Sequence, residues 1–233
     1  MKIAIMQPYF FPYIGYFQLI SAVDEFVFYD DVNFIKKGYI NRNSILANGE
    51  RYQFTLPLKK ASQNKLINET ELALSKKWIG NFLKTLDHTY KNAPYFKSTY
   101  SLVKNVLEED SKSVSEIAIK SIREVCNYIG LTTNFTLSSQ KYSNSKTLKK
   151  ADRLIAIAIE AGKYNYINPI GGLELYSKDY FEERNVKLNF LNSKTVSYKQ
   201  FQNQFVDSLS IIDVLMFNSK ASIRDMLNQN TLI

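Results

Sequence analysis

The chain is poor in the residue types that most often carry redox, metal or nucleophilic chemistry. Of 233 residues, one is cysteine, one histidine and one tryptophan. A single cysteine excludes a disulfide framework within the chain. Cys126 falls on the apolar face of a predicted helix and reads as inert core, and Trp78 reads as packing. His88 lies on a helix two residues before Tyr90, with nothing in the sequence to complete a Ser-His-Asp triad around it. No His/Cys cluster has the spacing of a metal site. Long apolar runs are also missing: none approaches the roughly 18 residues of a membrane span. The opening MKIAIMQP is cut by Pro8 too early for a signal peptide. These absences predict a cytoplasmic protein with no metal and no membrane span. There is no internal repeat, low-complexity tract or linker, so residues 1–233 are expected to form a single α/β domain.

What the chain does have is tyrosine and positive charge. Aromatics make up 14% of it, with 16 Tyr. Tyrosine combines an apolar body with a polar tip, which suits the rim of a cleft. The formal net charge is +8. Each half, 1–116 and 117–233, holds 15 Lys and Arg, so the excess is spread along the chain and forms no basic tail. Diffuse positive charge favours anionic partners such as nucleotides, phosphates or RNA, and serves solubility equally well.

The pattern of apolar residues predicts strands at Lys2–Met6, Glu25–Tyr29, Asn134–Ser138, Tyr164–Asn168 and Lys187–Leu191. Helices are expected at Gly15–Ala22, near 75–90 and 95–109, from the Ser113-x-x-Glu116 capping box to Tyr128, and near 147–161 with Leu148, Ala151, Ile155 and Ala158 inward. Leu173–Glu183, Ser210–Phe217 and Ala221–Leu227 read as further helices. Tyr39–Ala47 and Arg51–Leu58 read as a hairpin closed at Asn48-Gly49. Strand and helix alternate at both ends of the chain. The expected fold is therefore α/β: a mainly parallel, Rossmann-like sheet with helices on both faces, a β-hairpin, and a helical insertion around 59–110.

In such a sheet, ligands bind beyond the carboxyl ends of the strands. That selects Gln7–Tyr16, Tyr29–Asn43, Asn168–Tyr176 and Asn192–Gln202. In the first, Pro8 and Pro12 stiffen the loop, Gly15 permits close approach, and a helix N-terminus follows. Gln7, Tyr9 and Tyr16 add directed polar groups. The second holds Asp30, Asp31, Asn33, Lys36, Asn41, Arg42 and Asn43. On a continuing strand the two aspartates point to opposite faces, so one at most serves a given cleft. That one could take a proton from an amine, while Arg42 could clamp a phosphate. In the third, Gly171-Gly172 could cradle a phosphate, although neither P-loop nor dinucleotide spacing is present, and Tyr176 follows. Ser210-x-x-Asp213 reads as a helix cap whose aspartate could instead face the site. One pocket is expected to gather Gln7, Tyr16, Arg42, Asn43 and Gly171.

Five stretches, QPYFFPYIGYF (7–17), DEFVFYDDVNFIKKGYINRN (24–43), YINPIGGLELY (166–176), YKQFQNQF (198–205) and LSIIDVL (209–215), resemble the WbqC-like family of bacterial proteins found among O-antigen and surface-polysaccharide genes. The resemblance implies a transferase of polysaccharide synthesis that forms an amide between an amino acid such as glycine and an amino sugar carried on a nucleotide. Asp30 or Asp31 would be the base, and Tyr16, Asn41 or Asn43 the oxyanion donors. Gln7, Tyr9, Gly15, Asn33, Lys36, Arg42, Asn43, Gly171, Gly172 and Tyr176 would bind substrate. The acyl donor (a thioester, an aminoacyl-tRNA, or an amino acid with ATP) and any cofactor stay open. Tyr13-Ile14-Gly15-Tyr16 is also similar in context to the His-x-Gly-His of nucleotidylyltransferases. Here two tyrosines stand where histidines would, and they can hydrogen-bond a phosphate without supplying charge. Two other readings fit the same sequence: a non-catalytic nucleotide-sugar-binding accessory protein, and an RNA-binding protein that meets an aminoacyl-tRNA donor.

Overall fold

Short, branched, apolar segments pair side by side because each can bury both faces. In the computed structural model, which describes residues 1–201 and 204–233, this produces a six-stranded sheet. Its strands are β1 (Lys2–Met6), β2 (Glu25–Phe28), β5 (Asn134–Leu137), β6 (Asn165–Pro169), β7 (Lys187–Ser193) and β8 (Asn230–Leu232). Their order is β5-β2-β1-β6-β7-β8, and every pairing is parallel except β7 with β8. A separate antiparallel hairpin joins β3 (Arg42–Ala47) to β4 (Glu50–Thr55). Its turn residues Asn48 and Gly49 both have positive φ, as the predicted two-residue turn demands.

Side chains alternate across the sheet as its period of two requires. Ile3, Ile5, Val27, Tyr166, Leu188 and Phe190 meet α6 (Lys150–Glu160) and α7 (Lys178–Glu182) on one face. Ala4, Phe26, Phe28, Ile167 and Leu191 meet the larger core on the other, built with α1 (Ile14–Ser21), α4 (Val114–Ile129), α8 (Ile211–Phe217) and α9 (Lys220–Leu227). Helices α2 (Lys76–Tyr90) and α3 (Phe96–Glu108) extend that core beneath the hairpin. No helix among the described residues is long and apolar enough to cross a membrane.

The fold departs from expectation in four places. The chain after β5 turns at once into the short helix α5 (Ser138–Lys141). Helix α6 begins at Lys150, leaving Leu148 exposed before it rather than packed inward. The stretch after β6 forms a 3₁₀ turn at Ile170–Gly172 before α7 begins at Lys178. The antiparallel edge β8 was not anticipated: its three polar-flanked residues carry no alternation, and only pairing with Leu191–Ser193 makes them a strand. The predicted stretch 192–202 ends on Gln202, and YKQFQNQF includes Gln202 and Asn203; these two residues lie outside the described residues.

Candidate functional site

Sequence runs leftward through the sheet from β1 to β2 and β5, and rightward from β6 to β7. The order reverses between β1 and β6. At such a reversal the connections leave in opposite directions and a crevice opens at the carboxyl ends. A cleft of about 360 Å³ lies there, lined by Met6, Gln7 and Tyr9 after β1, Tyr29 after β2, Tyr166, Asn168, Pro169, Gly171 and Gly172 at the end of β6, and Leu175 and Tyr176 beyond.

One wall of the cleft is the loop after β1, and the fold holds it on several sides. The Phe11 amide donates to Ser121 Oγ at 3.0 Å, and its carbonyl accepts from Asn43 Nδ2 and Ser210 Oγ, each at 2.7 Å. The Pro12 carbonyl accepts from the Ile211 amide at 2.8 Å, and the Phe10 amide donates to the Tyr39 carbonyl at 3.3 Å. Phe11 is held at φ +41°, an uncommon conformation for a bulky residue, with its ring fully buried. The crowded prolines and aromatics thus form a rigid strut between α4, β3 and α8. Tyr16 lies behind it, buried, and its hydroxyl donates to the Gln7 carbonyl at 2.8 Å. Tyr9 packs between Tyr16 and Tyr39, with ring centroids 5.6 and 5.8 Å away.

The opposite wall depends on Asn168. Its Oδ1 accepts from Tyr166 Oη at 2.8 Å and its Nδ2 donates to the Pro169 carbonyl at 2.9 Å. Gly172 presses against this amide. A Cβ there would overlap Asn168 Nδ2 and stand 2.9 Å from Cγ, whereas a Cβ at Gly171 would meet nothing within 4 Å. Close approach of backbone to a side chain explains the second glycine; the first has no such constraint.

Among the described residues, no charged side chain lines the cleft. Its phenols are held protonated. Burial, then Tyr13 and Tyr39, pushes Tyr9 up to about 12. Burial also raises Tyr166 and Tyr176. Burial raises Tyr29 too, partly opposed by Arg153, whose guanidinium carbon stands 4.7 Å from the Tyr29 ring centroid. At neutral pH these groups are hydrogen-bond donors and acceptors without charge, suited to hydroxyls, amides and sugar rings.

The sequence-selected residues divide among several places. Gln7, Tyr9, Gly171, Gly172 and Tyr176 meet in the cleft. Gly15 borders a smaller cavity of about 130 Å³ at the start of α1, with Ser193, Lys194 and Thr195. Lys36, Asn41 and Arg42 line a cavity of about 350 Å³ under the hairpin. The single pocket expected for Gln7, Tyr16, Arg42, Asn43 and Gly171 therefore does not form: Tyr16 and Asn43 support the loop from within, and Arg42 opens elsewhere. Asn33 is exposed on a loop that bridges to Leu66.

Asp30 and Asp31 do not alternate, because the strand ends at Phe28. Both accept from the Ser138 hydroxyl. Asp30 also accepts from the Ser139 amide and hydroxyl, and Asp31 pairs with Arg153 at 2.7 Å. Both aspartates are buried and neither lines the cleft. Asp213 accepts from Tyr90 and Tyr198 hydroxyls and the Gln200 amide, at 2.7, 2.6 and 2.6 Å, so it ties α2 and the 198–200 segment to α8. Burial raises its pKa against the pull of those three donors. Sequence reasoning overlooked Tyr166 and Arg153. Tyr166 was legible in principle, two residues before Asn168 on the same strand face; the link from Arg153 on α6 to Tyr29 was not.

The chain is 28% identical over 230 residues to the Uncharacterized protein Rv1507c of Mycobacterium tuberculosis, covering 97% of each. No solved structure matches it. The WbqC-like protein family model matches residues 7–225, from the glutamine that opens the cleft to the last turn of α9, and the chain belongs to that family.

Proposed function

We propose that the switch-point cleft binds the sugar portion of a nucleotide-linked amino sugar, and that the protein transfers an aminoacyl group such as glycyl to its amine during surface-polysaccharide synthesis. The observation that carries this reading is the cleft itself: a preformed crevice at the reversal of strand order, walled by neutral phenols and amides with no charge. Its size falls within the range of small-molecule sites. Neutral donors discriminate hydroxyl and acylamino patterns without attracting bulk ions. In the transfer, the sugar amine attacks the acyl carbonyl, a C–N bond forms, the bond to the donor's leaving group breaks, and the leaving group departs with the proton that the amine loses. On this reading, Gln7 and Tyr176, which line the cleft, supply the neutral donors to the oxygen that gains charge.

A second reading, binding without catalysis, is favoured by a specific observation: among the described residues no ionisable base other than a neutral phenol lines the cleft, and Asp30 and Asp31 are occupied by Ser138, Ser139 and Arg153. Calorimetric titration with a panel of amino-sugar nucleotides, followed by mass spectrometry of reactions supplied with candidate acyl donors, separates the two. Tight binding with amide product supports the transferase; tight binding without product supports the accessory role. No binding by any member, with wild-type protein that is folded, removes both.

A further inference from the structure

The cavity under the hairpin differs in kind from the cleft. Lys36, Lys37 and Arg42 line it together with Asn41 and Thr55, and none of its lining residues is acidic. Two other surface cavities mix their signs: Lys178 and Lys187 share one with Glu182, and Lys120 and Arg123 share another with Glu109, Glu116 and Glu124. Phe34, Leu56, Pro57 and Leu58 contribute apolar surface, which lowers the local dielectric and strengthens the field of the three cations. Arg42 is only partly exposed. Its Nε donates to the Gly38 carbonyl at 3.1 Å, which orients the guanidinium. Among the described residues its terminal nitrogens have no hydrogen bond and no ion pair. A half-buried, oriented fork beside two lysines is a cationic cluster lacking its counter-charge.

We propose that this cavity binds the phosphate or diphosphate group of a ligand. One carboxylate would leave most of three positive charges uncompensated, whereas a diphosphate matches them. Arg42 would take two oxygens with its free edge, and the lysines would act as point charges. The neutral cleft offers no cation to a phosphate, so a nucleotide-bearing substrate or donor needs one elsewhere. The loop that carries Lys36 and Lys37 also carries Tyr39, which packs on Tyr9 of the cleft. The proposal stands on this cavity alone and survives failure of the sugar-binding reading.

Titration of the full chain with inorganic pyrophosphate, and in parallel with nucleoside diphosphates, tests it. Saturable one-to-one binding is expected, weakened about tenfold or more by Arg42→Gln and partly recovered in Arg42→Lys. The exposed double variant Lys36→Gln/Lys37→Gln is expected to weaken it as well, and it decides the matter should Arg42→Gln not fold. Tyr176→Phe, in the cleft, is expected to leave pyrophosphate binding unchanged. Equal affinity for pyrophosphate and nucleoside diphosphates assigns the site to the phosphates alone; tighter nucleoside diphosphates assign it to a nucleotide. Absence of saturable binding overturns the proposal. So does binding that persists in both variants, or capture of single-stranded RNA by the same residues while pyrophosphate is ignored.

Discussion

The two ends of the parallel sheet solve opposite problems. At the amino end, Glu25 opens β2 as a fully buried carboxylate surrounded by donors: Lys141 at 2.9 Å, Lys163 at 2.7 Å, Tyr142 at 2.7 Å and Thr136 at 2.9 Å. At the carboxyl end, none of the described residues that line the cleft is charged. Burial alone would raise the Glu25 pKa, but the hydrogen bonds from Lys163, Tyr142, Lys141 and Thr136 outweigh it and hold the carboxyl at about 2. One end uses ion pairs to fasten three strands and their connections. At the other end the charges of Asp31 and Arg153 are paired with each other outside the cleft lining, and the groups that line the cleft stay neutral. A buried charge is tolerable only where its partners are fixed.

The largest expected effect lies at the amino end. Glu25→Ala strands Lys163, which is mostly buried, and is expected to cost about 3–5 kcal/mol in urea unfolding. A loss below about 1 kcal/mol would mean the pair merely breaks even with water. The same group gives a pH dependence of definite sign. Its folded pKa of about 2 lies below its ordinary 4.5. Its stabilisation is therefore fully present above pH 4.5 and is lost as pH falls from 4.5 through 2, by about 3 kcal/mol in total. Acid unfolding curves of wild type and Glu25→Gln should converge toward the bottom of that window.

At the carboxyl end the effects are on binding. Gly172→Ala drives a methyl into the Asn168 amide and is expected to weaken nucleotide-sugar binding by roughly tenfold to a hundredfold, with a smaller loss of stability. Tyr176→Phe removes one neutral hydrogen bond and should cost about 1 kcal/mol, or roughly fivefold in affinity. Because burial holds the cleft phenols protonated, with Tyr9 at about 12, affinity in wild type should be flat across the neutral and mildly alkaline range. With an N-acetylated nucleotide sugar, which has no titrating amine, a step in that range seen by calorimetry would place an ionising group in the cleft. The smallest effect belongs to Gly171→Ala, expected to change stability by less than about 0.5 kcal/mol because the new methyl meets nothing. A large loss in urea unfolding would show that the new methyl is not accommodated in open space.

Much of this architecture was legible in residue order. The buried runs at Lys2–Met6 and Glu25–Phe28 have no alternation, and that is how a strand covered on both faces reads. Ser75, Ser113 and Ser219 cap helices through their own hydroxyls, a local interaction that sequence exposes directly. The candidate site was legible only in part. Gln7 and the pair Gly171-Gly172 follow strands that became neighbours, so the rule about carboxyl ends located them. Asp30 and Asp31 read as chemistry because carboxylates near a strand end so often are. Their partners Ser138 and Arg153 lie more than a hundred residues away, and no local pattern announces such a pairing.

The sequence by itself determined the alternation of strand and helix, the turn at Asn48-Gly49 and the stiffness of the Pro8–Pro12 loop, because propensity, capping and turn chemistry act over a few residues. Tertiary structure alone decided that β6 lies beside β1, and so where the strand order reverses and the cleft opens. It decided that Arg42 lines a basic cavity apart from the cleft, and that two aspartates become buried ties to Ser138, Ser139 and Arg153. Those outcomes depend on which distant surfaces bury each other best and which distant partners neutralise each charge, and neither quantity is written in any short stretch of the chain.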